Sequence, residues 1–374
     1  MSQAETQFLA ADALLQFRKQ LLRWYKKHAR VLPWRSSGNP YHIWLSEIML
    51  QQTRVDQARP YFERFVAAFP DVNTLAEAPL DDVLLNWEGL GYYSRARNLH
   101  KAAKAIASEH AGKVPDAYDA IRALPGIGPY TAAAVLSIAF GKAYGVLDGN
   151  VIRVLTRLTC NGNDVTKGKT RRHLQSLSDT LVSPDIPGDF NQAMMELGAT
   201  VCTPKKPKCK ACPVQDHCCA FAAGAVESFP FAKKKAPLPH YDIAVAIIRN
   251  KKNEYLIQRR PEDGMLGGLW QFPGGKQEEE EPLGTTCHRE MMDEFGIDIS
   301  VDQPIHTLSH AYTHFKITLH AFLCTLQTGV PASKNETPLQ WVTLTQMDDF
   351  AFSRSNRRLI EQLLVHQQTP GLFD

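Results

Sequence analysis

The sequence lacks the features of membrane, secreted and repetitive proteins. No uninterrupted apolar run reaches the roughly 18 residues that a membrane span needs. The opening MSQAETQF has no basic segment followed by an apolar one, which excludes an ordinary secretion signal. Internal repeats and low-complexity tracts are also missing. We therefore expect a cytoplasmic protein that has no membrane partner.

An excess of charge of one sign is nearly absent as well. The 374 residues carry a net charge of only +3, but the charge is unevenly distributed. Residues 1–225 hold 27 Lys and Arg against 20 Asp and Glu, whereas residues 226–374 hold 15 against 19. With a prior of about 150 residues per domain, this asymmetry predicts two domains with different partners. The basic half is the candidate for binding a polyanion.

Apolar periodicity predicts a succession of amphipathic helices in the first 225 residues, without a clear strand pattern. The predicted helices are 8–28, 43–66, 79–85, 96–106, 131–140, 151–158, 170–181 and 192–197. The segment VESFPFAKKKAPLPH at 226–240 has no periodicity and is rich in proline, which is typical of a linker. The pattern then changes to short β-type runs at 243–250, 254–260 and 316–326. Two helices are predicted beside them, at 282–295 and 354–366.

Two segments of the first half carry residues suited to a DNA or catalytic site. LPGIGPYTAAAVL at 124–136 places Gly126 and Gly128 in a turn that opens a helix. Such a turn lets backbone N–H groups converge on a phosphate, although a plain corner between two helices fits equally well. GVLDGNVIRVLTRL at 145–158 sets Asp148 directly before a helix. An Asp there is most often an N-cap; if it also lines a pocket, we expect the cap to keep its pKa low.

Cysteines are few, and five of the eight fall between residues 202 and 219. Cys202, Cys209, Cys212 and Cys218 have the spacing C-x6-C-x2-C-x5-C, whereas structural zinc sites usually show two close pairs. Without a secretion signal such a group favours a metal over disulfides, and four thiolates at this spacing favour an iron–sulfur cluster.

Lysines surround the first of these cysteine spacings. Lys205, Lys206 and Lys208 lie between Cys202 and Cys209, and Lys210 follows. They are candidates for phosphate contacts. A solvated basic loop is the alternative interpretation.

The hairpin, the downstream Asp148 and the cysteine spacing together resemble the helix-hairpin-helix DNA glycosylases that carry a 4Fe–4S cluster. The endonuclease III branch has a Lys nucleophile two residues after the second hairpin glycine. This chain has Tyr130 there, so no amine is available for a Schiff base. WLSEIMLQQTRV at 44–55 carries Glu47 in an apolar helix, where the MutY family has its general acid. A Glu on the exposed face of that helix is the other interpretation.

The resemblance to the MutY family implies removal of adenine by two carboxylates. Breaking the bond between adenine and deoxyribose needs a proton donor and a carboxylate beside the developing sugar cation. We expect Glu47, among apolar neighbours, to have a raised pKa and to protonate adenine. Asp148 is expected to stay charged and to stabilise the sugar cation. The resemblance also implies that Asn150 and Tyr130 orient these groups.

The adenine must first be flipped out of the duplex. By the same resemblance, Gln51, Gln52 and Tyr92 fill the vacated stack, and ordinary polar or aromatic surface is the alternative. Arg95 and Arg97 are expected to contact phosphates, which positions the DNA without reading its sequence.

GLWQFPGGKQEEEEPLGTTCHREMMDEFGI at 268–297 is almost a complete Nudix box. Glu290, Asp293 and Glu294 are spaced i, i+3 and i+4, so we expect them to share one helix face, as Mg²⁺ binding requires. The MutY family carries a related, catalytically inert C-terminal domain that reads 8-oxoguanine. The near-intact box leaves a Mg²⁺-dependent nucleotide hydrolysis open, while a helix with solvated acids is the simpler interpretation.

TLSHAYTHFKI at 307–317 resembles the loop with which members of the family contact the oxidised guanine. Ser309 and His310 match that pattern. Leu308 stands where the pattern usually has an aromatic residue.

The sequence therefore predicts an all-α helix-hairpin-helix glycosylase domain at 1–225, a linker at 226–240 and an α+β Nudix-like domain at 241–374. The predicted function is excision of adenine opposite 8-oxoguanine or guanine by a monomer bound to double-stranded DNA in a bacterial nucleoid. Three alternative functions are an endonuclease III-like glycosylase/lyase, a Nudix nucleotide hydrolase with a DNA-binding appendage, and a non-catalytic reader of DNA damage.

Overall fold

The computed structural model describes residues 8–233 and 237–368. The chain divides into two compact units, one within residues 1–76 and 101–235 and the other within residues 77–100 and 236–374. This division differs from the predicted boundary at 225–240, because residues 77–100 pack with the C-terminal half. Residues 234–236 of the predicted linker lie outside the described residues.

Up to residue 233 the described residues contain helices and no strand. The helices are α1 (Ala11–His28), α2 (Pro33–Ser36), α3 (Pro40–Leu50), α4 (Val55–Ala68), α5 (Val72–Glu77), α6 (Leu80–Trp87), α7 (Ser94–Glu109), α8 (Tyr118–Ala123), α9 (Pro129–Phe140), α10 (Gly149–Leu158), α11 (Gly168–Leu181), α12 (Pro187–Thr200) and α13 (Cys219–Ala222). Single 3₁₀ turns at Cys209–Ala211, Gln215–His217 and Val226–Ser228 follow α12.

The helix predicted over 43–66 is wrong in one respect, because the chain breaks it into α3 and α4. Gln52 has a left-handed backbone with φ of 58°, which no helix interior adopts. The break has no Gly or Pro to announce it. The helices α2, α5 and α8 are also absent from the prediction, since four to six residues are too few to show a period of 3.6.

The first unit is built around two helices that are buried on every side. In α3, Tyr41 and all residues from 43 to 49 are buried, and in α9 all residues from 131 to 137 are buried. A helix without a polar face belongs in the interior. Helix α9 packs against α3 and α12, and α12 also packs against α10 and α1. A Glu on α3 is therefore carried into the core.

The second unit contains one mixed sheet. Its strands are β1 (His240–Arg249), β2 (Tyr255–Arg259), β3 (Trp270–Gln271), β4 (Gly274–Lys276), β5 (Asp298–Ala311), β6 (Lys316–Thr328) and β7 (Leu339–Val342). The central order is β3-β2-β1-β6-β5, with β4 paired to β1 and β7 to β2. Strands β1 and β6 are parallel, and β5 and β6 are antiparallel. The prediction missed β3, β4, β5 and β7.

Two helices, α14 (Leu283–Phe295) and α15 (Arg354–Gln368), cover the two faces of this sheet. Along β1, Val245 and Ile247 join the cluster that contains Leu359 of α15. The alternate residues Ala244 and Ala246 join the cluster that contains Met291 of α14. Successive residues of a strand point to opposite faces, so β1 is apolar from 243 to 248 because both of its faces are covered there.

Within the second unit, residues 77–100 contact the C-terminal part of the chain through polar side chains. The guanidinium of Arg357 binds Glu88 with an Nε–Oε1 distance of 2.6 Å, and Tyr93 Oη donates to the carbonyl of Phe352 at 3.1 Å. Arg259 forms an ion pair with Asp81 at 2.7 Å. Across the described residues, no helix combines the length and apolarity needed to cross a bilayer.

Candidate functional site

A cavity of about 720 Å³ opens in the first unit between α3, α9, α10 and α12. The four predicted catalytic residues all line this cavity: Glu47, Tyr130, Asp148 and Asn150. The structure thus brings together side chains that are about a hundred positions apart in the sequence.

Glu47 lies on the cavity wall and is only 6% exposed. Tyr130 Oη donates a hydrogen bond to Glu47 Oε2 at 2.7 Å. Burial raises the pKa of Glu47 to about 7, which the hydrogen bond from Tyr130 lowers in part. The expected burial of Glu47 is what the structure has, because α3 has no solvent-facing side on which an exposed Glu could lie.

Asp148 is the N-cap of α10. Its Oδ1 accepts the backbone N–H of Val151 at 2.7 Å, and its Oδ2 accepts Asn150 Nδ2 at 2.8 Å. The expectation of a low pKa for Asp148 is wrong, because burial raises the pKa and outweighs the lowering by these hydrogen bonds. A cap alone does not ensure ionisation when its carboxylate is removed from water.

Asn150 connects Asp148 to the segment that carries the first cluster cysteine. Arg153 Nη2 donates to Asn150 Oδ1 at 2.8 Å, and Arg153 Nε donates to the carbonyl of Cys202 at 2.7 Å. Asn150 also packs on the backbone of α12: a Cβ added to Gly198 would lie 2.6 Å from Asn150 Cβ. Asn150 is therefore held on three sides, which suits a residue that orients a carboxylate.

The cavity has a third buried carboxylate, which was not predicted from the sequence. Glu196 of α12 accepts Arg30 Nε at 2.7 Å and Arg35 Nη2 at 2.8 Å. These hydrogen bonds overcome burial and hold the pKa of Glu196 below its usual range. Glu196 sits in the apolar stretch AMMELGA, which is the same signal that singled out Glu47.

The four predicted cluster ligands line one cavity, the cysteine cavity. Cys202, Cys209, Cys212 and Cys218 are half-buried free thiols, and Arg157 Nη1 donates to Cys202 Sγ at 3.2 Å. Burial raises the pKa of Cys212 to about 12, so its thiolate form needs a cationic partner. Four sulfur donors around one space fit a 4Fe–4S cluster.

A single metal ion fits less well. Within 8–233 and 237–368, no three His, Cys, Asp or Glu side chains gather as they would around one ion. A cluster of several iron atoms spaces its thiolates more widely than one ion does. The fifth cysteine of this region has a different partner, because Cys219 forms a disulfide with Cys160. The preference for metal over disulfides is therefore wrong for Cys219.

The predicted phosphate contacts of the first unit lie at its surface. Lys205, Lys206 and Lys208 are exposed beside the cysteine cavity. In the hairpin between α8 and α9, Gly126 has φ of 76°, and the guanidinium of Arg122 donates to the carbonyl of Ile127. Gly128 caps α9 without a side-chain hydrogen bond, which suits a phosphate at the helix N-terminus.

Two of the three residues predicted to fill the stack have strained backbones. Gln52 has φ of 58° and Tyr92 has φ of 49°, a region that non-glycine residues rarely enter. Gln51 and Gln52 line the cavity, and Gln51 Nε2 donates to Thr131 Oγ1 at 3.2 Å. Tyr92 belongs to the second unit and is 44% exposed. Such strain is commonly found at functional sites.

Arg95 and Arg97 are bound to protein carbonyls. Arg95 is buried, and its Nη2 donates to the carbonyl of Gly91 at 3.0 Å. Arg97 Nη1 donates to the carbonyl of Gly267 at 2.8 Å. Arg95 therefore supports the loop that presents Tyr92, and the phosphate contacts predicted for both arginines stay predictions.

The three acids of the Nudix-like helix α14 have separate surroundings. Glu290 Oε1 is paired with Arg289 at 2.8 Å, whereas Glu294 Oε1 accepts Gln258 Nε2 at 2.8 Å. Asp293 is exposed. Within the described residues no three acidic groups gather as they would around one ion, and the Mg²⁺ site that the sequence leaves open stays a prediction.

Ser309 and His310 lie in strand β5, not in a loop as expected, and they point to opposite faces of the sheet. Ser309 Oγ is 3.3 Å from Thr318 Oγ1, and the ring of His310 meets that of Tyr312 edge to face with centroids 4.5 Å apart. The turn that follows β5 holds a triplet of an aromatic, a hydroxyl and a His residue, Tyr312–Thr313–His314, whereas the triplet 308–310 begins with Leu308. Thr313 Oγ1 lies 3.4 Å from Tyr92 Oη.

Comparisons with known proteins identify the families to which the parts of the chain are similar. Three family models match: the HhH-GPD superfamily base excision DNA repair protein over residues 45–179, the iron–sulfur binding domain of endonuclease III over 202–218, and the NUDIX domain over 244–362. These matches confirm the predicted helix-hairpin-helix and Nudix-like folds and the iron–sulfur cluster.

Similar proteins cover most of the chain. The adenine DNA glycosylase of Rattus norvegicus is 34% identical over 94% of this chain and 78% of its own length. That of Buchnera aphidicola subsp. Acyrthosiphon pisum (strain APS) is 34% identical over 92% and 97%, respectively. Among solved structures, a thermostable thymine-DNA glycosylase aligns with 56% of this chain and 97% of its own, with a TM-score of 0.51 and 29% identity.

Proposed function

Because the chain belongs to the adenine DNA glycosylase family and excises adenine in base excision repair, we propose that two carboxyl groups catalyse this reaction in its cavity. Glu47 is the general acid, and Asp148 stabilises the sugar cation. The observation that carries this proposal is the buried Glu47, with its pKa near 7 and its hydrogen bond from Tyr130. A carboxyl group with this pKa is protonated in part at neutral pH and can act as a general acid.

Asp148 is the partner with the opposite task. It faces the same cavity, and two N–H donors favour its charged form against burial. A sugar cation forming beside it favours that form further, since opposite charges attract strongly away from water. Asn150 keeps the carboxylate in place because Arg153 holds the other end of its amide.

The reaction is a hydrolysis. The bond between C1′ of deoxyribose and N9 of adenine breaks while the proton of Glu47 passes to the leaving base. The hydroxyl group of a water adds to C1′, and its remaining proton regenerates the Glu47 carboxyl group. Tyr130 occupies the place of a lysine nucleophile and donates its O–H to Glu47, so no Schiff base forms and the product is an intact abasic site.

The substrate is double-stranded DNA, and the hairpin and the cysteine segment hold its backbone. Cys202, Cys209, Cys212 and Cys218 would hold the 4Fe–4S cluster, which when bound cross-links their segment. Lys205, Lys206 and Lys208 then meet phosphates from a fixed surface, as the backbone N–H groups near Gly126 and Gly128 do from the hairpin.

The mispair is adenine opposite 8-oxoguanine or guanine. Tyr92 enters the stack, and the β5–β6 turn beside it reads the opposite base. Thr313 is better placed than Ser309 for this contact, because it lies in the turn and within reach of Tyr92. The enzyme acts as a monomer on nucleoid DNA, with the catalytic domain at 1–225, the linker at 226–240 and the recognition domain at 241–374.

Single-turnover release of adenine from a duplex with adenine opposite 8-oxoguanine tests the mechanism. Glu47→Gln and Asp148→Asn are expected to lower the rate constant by roughly 10²–10⁴-fold, as for loss of a general acid or of transition-state stabilisation. The control is Glu63→Gln, on the exposed side of α4. Unchanged rates in the two cavity variants, or a covalent enzyme–DNA adduct trapped by borohydride, would overturn the proposal.

A further inference from the structure

Two cysteines outside the cluster set are bonded to each other. Cys160 and Cys219 form a disulfide with their Cα atoms 5.6 Å apart. Both residues are half-buried and therefore partly exposed to solvent. Neither is needed as a cluster ligand, because four other thiols surround the cysteine cavity. The adenine chemistry does not involve this pair.

The position of the bond in the sequence is informative. The two cysteines are 59 residues apart, and Cys202, Cys209, Cys212 and Cys218 all lie between them. The disulfide therefore closes a loop of chain that contains the complete ligand set. A closed loop has fewer conformations when its contacts are lost, so the ligands stay nearer to one another than in an open chain.

The disulfide also joins the cysteine ligand segment to the end of α10 in the fold. Cys160 follows the end of α10, and Cys219 begins α13 directly after the ligand Cys218. The last turn of α10 also contacts both ends of the ligand segment, since Arg157 Nη1 donates to Cys202 Sγ at 3.2 Å and the Arg157 carbonyl lies 3.6 Å from Cys218 Sγ. The disulfide adds a covalent bond to these contacts between α10 and the ligand segment.

We propose that Cys160 and Cys219 are a thiol–disulfide pair that retains the cluster segment when the protein meets an oxidant. The oxidant is a small-molecule disulfide such as oxidised glutathione. One protein thiolate attacks it, forming a mixed disulfide and releasing one glutathione thiol. The second protein thiolate then displaces the other glutathione. One protein S–S bond is formed, the glutathione S–S bond is broken, and the two protons of the protein thiols end on the two glutathione thiols.

The test uses the cluster-loaded, full-length protein after treatment with either oxidised or reduced glutathione. Mass spectrometry of alkylated peptides measures the Cys160–Cys219 bond, and transfer of iron to a coloured chelator measures cluster loss. We expect the oxidised wild type to contain this bond and to release iron several-fold more slowly than the reduced wild type. Cys160→Ser, Cys219→Ser and the double variant should all release iron at the reduced rate after either treatment.

The two single variants are matched controls for each other. A tether needs both sulfurs, so they must behave alike. Iron loss confined to Cys219→Ser would instead make Cys219 a cluster ligand and overturn the proposal. The proposal also fails if oxidised glutathione forms no Cys160–Cys219 bond, or if the bond forms and the rate of iron release does not change.

Discussion

The carboxylates of the cavity and those of the Nudix-like helix were both conspicuous in the sequence, and their surroundings differ. Glu47 lies in a helix that is buried on every side and has a neutral hydroxyl as its neighbour. Glu290 lies on an amphipathic helix and is paired with the guanidinium of Arg289. Burial raises the pKa of Glu47 to about 7, and the hydrogen bond from Tyr130 lowers it only in part.

The different surroundings of Glu47 and Glu290 show that the completeness of a motif is a weaker guide to chemistry than the contacts of its side chains. The Nudix box retains nearly all its residues, but its acids have separate partners and do not converge. The cavity pairs two acids from distant segments, and each has a distinct set of hydrogen bonds. Four measurements test this difference between the two groups of acids.

The largest effect is expected from neutralising acids on the two sides. Glu47→Gln should lower single-turnover adenine release by roughly 10²–10⁴-fold, because a general acid is lost. The triple variant Glu290→Gln, Asp293→Asn and Glu294→Gln should stay within a small factor of wild type in the same assay. A comparable loss in the triple variant would mean that the Nudix-like acids take part in the reaction and that the comparison is wrong.

The next effect concerns stability. Glu196→Gln removes the charge that Arg30 and Arg35 share, leaving two guanidinium groups without a counter-ion. A fully buried pair would cost roughly 3–5 kcal/mol to break. Because Arg30 is 37% exposed, we expect about 2 kcal/mol in the free energy of unfolding, measured by denaturant titration. The exposed pair Arg59–Glu63 is the control, and Glu63→Gln should cost about 0.5 kcal/mol or less. Equal losses in the two variants would remove the distinction between buried and exposed acids.

The third effect is a shift in pH dependence. Glu47 must be protonated to act, so the single-turnover rate should fall as the pH rises through about 7. The hydrogen bond from Tyr130 lowers the pKa of Glu47, so Tyr130→Phe should raise that pKa and move the alkaline limb to higher pH. Tyr118→Phe, outside the cavity lining, is the control. An alkaline limb that stays in place in Tyr130→Phe would show that another group controls it.

The sequence was most informative where local pattern and burial coincide. The apolar neighbours of Glu47 predicted a buried helix, and the position of Asp148 before a helix predicted an N-cap. Partners that are remote in the sequence could not be found this way. Glu196 lies 166 residues from Arg30, and Cys160 lies 59 residues from Cys219. Strand β5 was not predicted, because register shifts near Val301 and Pro304 interrupt the alternation of its inward-facing and outward-facing residues.

The smallest effect separates two hydroxyl groups that the same pattern would select. Thr313 lies in the turn after β5, 3.4 Å from Tyr92 Oη, whereas Ser309 Oγ is occupied by Thr318 on the sheet face. Loss of one hydrogen bond is worth about 1 kcal/mol, so Thr313→Ala should reduce the preference for 8-oxoguanine over guanine about five-fold. Ser309→Ala should leave this preference nearly unchanged. The measurement is the ratio of single-turnover rates on the two mispairs at limiting enzyme. A change confined to Ser309→Ala would assign the contact to the strand residue that the sequence pattern selected, and would show that motif identity outweighs position in the fold at this site.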